Sequence, residues 1–412
     1  MTRIPVRWVA VGVFAFSSTV NFLDRQLLSA AAPILRQDFH MSNTQYGEVL
    51  SAFALAYAGA APLMGWIIDR IGLNVGVAIA CLVWSVGGMA TGLMRSFTGL
   101  LACRTVLGLG ESAGMPSLGK ANALYLGPSE FALSLAANHI TISLGSAAAP
   151  IIFASLMPLY GWRTVFTACG AVGLLWAPLW LLTSRLVPSP REVNPPPQVR
   201  VGVILRDARM WSLVLANALV MTVYTVWTNW TTIYFVQEHH LTAHDANMHF
   251  AWIPPLFATA GGFFGGWLVA RWMSSGVRAL HARMRSGWIG GGFVLVTAAV
   301  PLMPSPTLAV AAISASFFWC MSLQCNLHVM PIDLFGPANA AFAVSMLACS
   351  YGLLQVFLSP VIGAIVDHFG FSPVCVGLSV FPLIGMAVLR AAVGDRTSPK
   401  GTSRAVPVSG LR

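Results

Sequence analysis

Residues 7–35 read RWVAVGVFAFSSTVNFLDRQLLSAAAPIL. About 20 mostly apolar residues cross a bilayer as a helix. This stretch is longer, and in its interior it carries the adjacent opposite charges Asp24 and Arg25. Its length and the lack of a small-residue cleavage site argue against a removable signal peptide. It is therefore expected to be retained as a first membrane span with two charges inside the lipid.

The rest of the chain repeats the apolar pattern. Of 412 residues, 57% are hydrophobic and only 9% charged, against roughly a quarter charged in a soluble domain. So few polar side chains cannot cover a water-soluble particle of this size, so lipid must be the solvent for most of the surface. The 38 Gly and 25 Pro fall within the apolar runs as well as between them. Bundled helices tolerate that, whereas the alternating strands of a membrane barrel do not call for it.

With breaks at turn residues and charges, twelve spans are predicted: 7–35, 44–68, 74–94, 97–125, 131–158, 161–184, 210–236, 246–272, 284–303, 306–331, 338–366 and 371–393. One long polar connection holds Pro188, Pro190, Pro195, Pro196 and Pro197. The expectation is an all-α membrane protein of twelve transmembrane helices in two six-helix halves. Residues 1–185 form the first bundle, 186–209 a linker, 210–394 the second bundle and 395–412 a tail.

Orientation follows from Lys and Arg in the connections. With a cytoplasmic N-terminus, eighteen of the 23 basic residues fall on that side, and only Arg36, Arg95 and Arg163 on the other. Both termini are expected in the cytoplasm, in a multi-pass protein of the bacterial inner membrane. This asymmetry also accounts for the net charge of +10, so no nucleic-acid partner is expected. The seven Cys lack CxxC pairs and His partners at metal spacing, and His239, His240, His244 and His249 cluster without acidic or Cys ligands at a fixed metal-binding spacing. No metal and no cofactor are expected. No nucleophile constellation and no GxxxxGK loop is present, so neither an enzyme nor an ATP-driven pump is supported. Two six-helix halves suit a carrier whose central site opens alternately to each face.

A charge at mid-membrane is costly and marks a functional site by default. Four residues qualify: Asp24 and Arg25, and Arg104 and Glu111 in CRTVLGLGESAGMP, residues 103–116. Arg104 and Glu111 are nearly two turns apart and share one helix face, whereas Asp24 and Arg25 point about 100° apart. Arginine stays protonated, so unless neutralised by the two acids the pair offers a fixed positive field, and a guanidinium matches a carboxylate with two donors. The ligand is expected to be a small organic anion. Asp24 and Glu111 are the acids whose protonation can couple to it. The competing reading is that the four merely pair with each other and hold two helices together.

After the second span, residues 65–74 read GWIIDRIGLN. Gly65, Asp69, Arg70 and Gly72 resemble the GxxxDRxG loop signature of the major facilitator superfamily, in which the Asp helps latch the halves in one state. After the eighth span a second copy, GWLVARWMSSG at residues 266–276, has Ala270 where Asp69 stands. A narrower resemblance, to the anion:cation symporters of that superfamily and their hexuronate and aldonate carriers, rests on several runs. These are Asn21, Phe22, Asp24 and Arg25 in the first span, Arg104, Gly110, Glu111 and Pro116 in the fourth, Tyr57 in the second, Tyr160 to Phe166, and Pro331 to Phe335. Phe22 stands where such carriers more often have Tyr. The resemblance implies that Arg25 and Tyr57 hold the substrate carboxylate with Arg104 in support, and that Asp24 and Glu111 are proton-linked.

The second half has no embedded charge pair and is expected to supply polar and aromatic contacts. Tyr224, Asn229, Trp230, Asn326 and Gln355 are the candidates, with helix packing as the ordinary alternative for each aromatic. His139 and His328 read as packing residues. The resulting expectation is a monomeric, proton-coupled symporter of a hexuronate or other sugar acid. The alternatives are a proton-driven multidrug exporter, a carrier of small mono- or dicarboxylates, and a membrane receptor that transports nothing.

Overall fold

The structure, a computed structural model, describes residues 6–127, 130–187, 189 and 201–393. Among these there is no strand. The helices are α1 (Arg7–Asp38), α2 (Asn43–Ile71), α3 (Leu73–Thr91), α4 (Phe97–Glu111), α5 (Gly114–Tyr125) and α6 (Phe131–Leu186). After them come α7 (Val201–Leu205), α8 (Ala208–Glu238), α9 (Ala243–Ala246), α10 (Ile253–Ser274), α11 (Ala279–Val294), α12 (Pro306–Phe335), α13 (Pro337–Phe369) and α14 (Phe371–Val393). The tail expected at 395–412 and half of the linker expected at 186–209 lie outside the described residues.

Each expected span has a helical counterpart, with four differences in form. The fourth span is two helices, because α4 stops at Glu111 and α5 starts at Gly114. The fifth and sixth run on as α6 and turn at Gly161, whose φ of 77° is open to glycine at little steric cost. The eighth opens with α9 and a π-helical turn, Asn247–Ala251, before the Pro254–Pro255 start of α10. The ninth tightens from α11 into a 3-10 segment, Leu295–Leu302, ahead of α12. Among the described residues, seven helices are long and apolar enough to cross a membrane alone, and the pair Asn43–Ala61 with Leu63–Ile71, bent by 49°, makes an eighth. One of the seven, Leu133–Leu186, holds two of the expected spans.

Local chemistry sets the key ends. Ser42 and Gln45 form a capping box that starts α2, the Ser42 hydroxyl accepting from Gln45 N and Gln45 Oε1 accepting from Ser42 N. Gly72, at φ 87°, ends α2 and lets α3 begin at the next residue. In packing, α1 and α3 lie on α6, and α2 and α3 lie on α4. Further along the chain, α8 packs on α12, α13 and α14, α10 on α12, and α11 on α12 and α14. The two sets meet through α2 with α13, α1 with α8, and α6 with α10.

Candidate substrate site

Asp24 and Arg25 are consecutive on α1, and the helix sends them to different neighbours. Arg25 reaches α4, where its Nε and Nη2 both donate to Glu111 Oε2, at 3.0 and 2.6 Å. Its guanidinium carbon lies 4.8, 4.7 and 5.3 Å from the rings of Phe22, Phe53 and Tyr57. Phe53 and Tyr57 are one turn apart on α2 and stack at 5.8 Å, so one helix face supplies both. Cation–π contacts of this kind contribute about 0.5–2 kcal/mol each. The Glu111 side chain is wholly buried while that of Arg25 keeps 19% of its surface. The acid is interior, and the guanidinium is the part that other molecules can meet.

Of the reading in which the four charges pair with each other across two helices, one pair is present, Arg25 of α1 with Glu111 of α4, while Arg104 and Asp24 join no such pair. Arg104 is buried, lies 5.6 Å from the Phe53 ring, and its Nε has no hydrogen-bond partner. Among the described residues it makes no salt bridge, and neither does Asp24, whose Oδ2 is also unpartnered. Asp24 faces α3, where a Cβ on Gly88 would sit 3.9 Å from its carboxyl carbon. The seven-residue spacing does place Arg104 and Glu111 along one helix. The acid nonetheless turns to α1, so a pair between helices replaces the pair within one. The four charges balance in sum but are not all paired. Buried charges without partners are costly, so a proton or a ligand charge can be taken up here.

Across from this cluster, Asn229, Trp230 and Gln355 line a cavity of about 270 Å³ together with Tyr351 and Thr225. The Asn229 amide donates to Thr225 O within its own helix. Trp230 is almost fully buried, edge-on to Tyr46 and Phe371, so most of its ring is packing. Tyr224 sits edge-on to Phe317 at 5.1 Å. Tyr351, on α13, lines this cavity beside Gln355. Asn326 is elsewhere: its amide donates to Gly265 O, Ser286 Oγ and Ser322 O, and its Oδ1 accepts from Arg283. It ties α12 to α10 and α11 and does not line this cavity.

The loop signature also has a defined geometry. Asp69 Oδ1 pairs with Lys120 Nζ at 2.8 Å, Arg70 lies over the Trp66 ring at 4.2 Å, and Gly65 is next to Pro116. These contacts join α2 to α5 and do not reach α8–α14. At that end the ion pairs Arg7–Glu130, Lys120–Asp69 and Arg283–Asp333 each stay within α1–α6 or within α8–α14. At the opposite end the two sets are fastened. Asp367 of α13 accepts from Asn43 N (2.9 Å), Thr44 N (2.9 Å) and Thr44 Oγ1 (2.8 Å), at the N-terminus of α2, where a negative charge is favoured. Tyr46 Oη donates to Asn229 O, and Asn247 Nδ2 to Ala30 O. Replacing Asp367 with Ala is expected to loosen this end. Losing a capping group costs about 0.5–2 kcal/mol, a shift of about 2- to 30-fold in the open-to-closed ratio. Spin-label distances between α2 and α13 at that end should move to longer values; an unchanged distribution would remove Asp367 from the fastening.

Two contributors were not singled out from the sequence. Tyr351 lies one turn before Gln355 in SYGLLQ and was legible as the next position on the same α13 face. Asp367 sits in VDHFG near a helix end, where its residue type alone reads as a solvated loop acid.

The family model described as Major Facilitator Superfamily matches residues 14–336. A hexuronate transporter of Escherichia coli (strain K12) is 26% identical over 405 residues, covering 93% of each chain. A galacturonate transporter of Dickeya chrysanthemi is 24% identical over 330 residues, 76% of this chain and 95% of that one. Among solved structures, a bacterial homolog of the human lysosomal transporter Spinster, inward-facing and unoccupied, superposes with a TM-score of 0.77 at 20% identity, covering 94% of this chain and 97% of that one.

Proposed function

We propose, because the chain belongs to the major facilitator superfamily, that it imports a hexuronate or related sugar acid together with protons. It is a multi-pass membrane transporter and not an enzyme. The sugar-acid reading draws on relatives named as hexuronate and galacturonate transporters, and on one structural observation. Arg25 is a mostly buried guanidinium that keeps 19% of its surface, and its Nε and Nη2 are held by a single oxygen of a wholly buried acid. A substrate carboxylate needs those same donors. Protonation of Glu111 weakens its hold on Arg25 and releases them, so proton and anion arrive together. Tyr57 and Arg104 support the bound carboxylate, Asp24 is the second proton-linked acid, and Tyr224, Asn229, Trp230 and Gln355 meet the hydroxylated body. In this reading the two bundles, 1–185 and 210–394, rock about the cluster with both termini in the cytoplasm of a bacterial cell. The end fastened by Asp367 is then the outer one.

The test is uptake of radiolabelled glucuronate or galactonate into liposomes holding the purified protein. Acid outside should drive accumulation above the external concentration, and a protonophore should abolish it. Extrusion of amphipathic dyes without sugar-acid uptake would establish the exporter reading instead, and absence of any flux the receptor reading.

A further inference from the structure

The second copy of the loop motif takes no part in the sugar-acid site, and its charges are answered differently from those of the first. In GWIIDRIGLN, Asp69 holds Lys120 and Arg70 lies over Trp66. In GWLVARWMSSG, Ala270 stands in place of the acid. Arg271 is exposed, and among the described residues its side chain joins no ion pair or ring contact. Three more exposed arginines share its surroundings. Arg278 stands just before α11, Arg285 is in the second turn of α11 with its guanidinium carbon 5.0 Å from the Trp272 ring of α10, and Arg390 is in the last turn of α14. These helices adjoin: α11 packs on α10 and on α14, and Gly287 of α11 lies against Met386 of α14, one turn from Arg390.

No described acid is left over to face the four. Asp333 is held by Arg283 and Asp207 by Arg209. Glu238 and Asp367 belong to the opposite, fastened end, where Glu238 accepts from Phe371 N. Membrane orientation accounts for basic residues at this end. It does not account for Arg285 being braced on an aromatic ring, or for four unanswered cations on three adjoining helices. Their position supplies the missing anion. Along α10, Phe263, Trp267 and Arg271 follow at intervals of four residues and share one face, and Phe263 and Trp267 are 50% and 57% exposed. In a chain that spans a membrane an apolar face this open meets acyl chains, and Arg271 stands where that face reaches the headgroup layer. A phosphodiester offers two oxygens to a planar guanidinium fork, and basic residues beside a span attract anionic lipid. We propose that this end of the α10–α11 hairpin binds an anionic phospholipid. Arg271 and Arg285 hold its phosphate, Arg278 and Arg390 add to the field, and its chains lie along the Phe263–Trp267 face.

The experiment is native mass spectrometry of the full-length protein, purified in detergent and stripped of lipid. Titration with phosphatidylglycerol, or with phosphatidylcholine of the same chains, reads the dissociation constant of the first bound lipid. Wild type should bind phosphatidylglycerol at least about 25-fold more tightly, about fivefold for each of two arginines. Arg271→Gln with Arg285→Gln should bring the two lipids to within a few-fold of each other. Arg185→Gln with Arg206→Gln, which removes two exposed charges elsewhere at the same end, should keep the wild-type preference. All four positions are exposed, so both double variants should melt as wild type does. Equal loss of preference in the two double variants would make the attraction a matter of net charge and overturn the proposal, as would a wild type without preference. Displacement of phosphatidylglycerol by an equal concentration of inorganic phosphate would also overturn it, because the acyl chains would then contribute nothing. None of these readouts depends on sugar-acid flux, so they stand apart from the transport reading.

Discussion

Alanine in place of Arg25 is expected to lower affinity for a sugar acid by at least about 30-fold, since truncating one member of a desolvated charge pair costs about 2–5 kcal/mol. The expectation follows from geometry. Arg25 is the embedded cation that keeps accessible surface, and three rings fix its plane. Arg104 is buried to 2% exposure and meets one of those rings, so it cannot take over the contact without moving. The substitution also leaves Glu111 without its cation in the bilayer interior. Loss of binding must therefore be read beside a melting curve, and beside Arg25→Lys. Lysine keeps the charge but replaces a planar fork with a point charge. It is expected to retain weak binding, between wild type and alanine. Binding by isothermal calorimetry on the folded variants decides the matter, and wild-type affinity in Arg25→Ala would remove Arg25 from the site.

The fold was legible because its signals are long and redundant. A run such as 7–35 or 210–236 can cross a bilayer only as a helix, and every such run has one. What was not legible was the form of the breaks. Just before α4 halts at Glu111, Gly108 lies close against α2 and Gly110 close against α3, contacts between distant segments that spacing along one helix does not report. The four embedded charges were conspicuous in the sequence for the same reason that the spans were: they interrupt lipid-soluble runs. Their partnership was not. Residues 25 and 111 are 86 positions apart, and the choice of Arg25 over Arg104 for Glu111 is made by how α1 and α4 pack. Uncharged groups were harder still. Asn326 and Asn229 look alike in the sequence, yet one ties three helices together and the other lines a cavity. Gln26 stands beside Arg25 and is eclipsed by it, although its Nε2 is buried without a hydrogen-bond partner.

Glutamine at position 111 is expected to separate exchange from accumulation. Glu111 Oε2 accepts both Arg25 donors, while Oε1 has no partner. The amide oxygen of glutamine can still accept from Arg25, so the aromatic box and the guanidinium plane should persist. What disappears is the proton site and the negative charge that competes with the substrate carboxylate for Arg25. The variant mimics a permanently protonated acid, in which the guanidinium is available whatever the pH. Exchange of internal unlabelled for external labelled sugar acid needs only the loaded carrier to reorient, and it should continue at a rate within a few-fold of wild type. Uptake driven by acid outside needs a proton to be taken up and released in each cycle, and it should fall by more than about 100-fold, the loss expected when a required charge-switching group is absent. Asp24→Asn provides the comparison, since Asp24 is buried against α3 and, among the described residues, joins no salt bridge. Measuring both fluxes in the same liposome preparation controls for differences in folded protein. Acid-driven accumulation at wild-type levels in Glu111→Gln, with collapse in Asp24→Asn, would transfer the coupling role from the acid that holds Arg25 to the acid that stands alone.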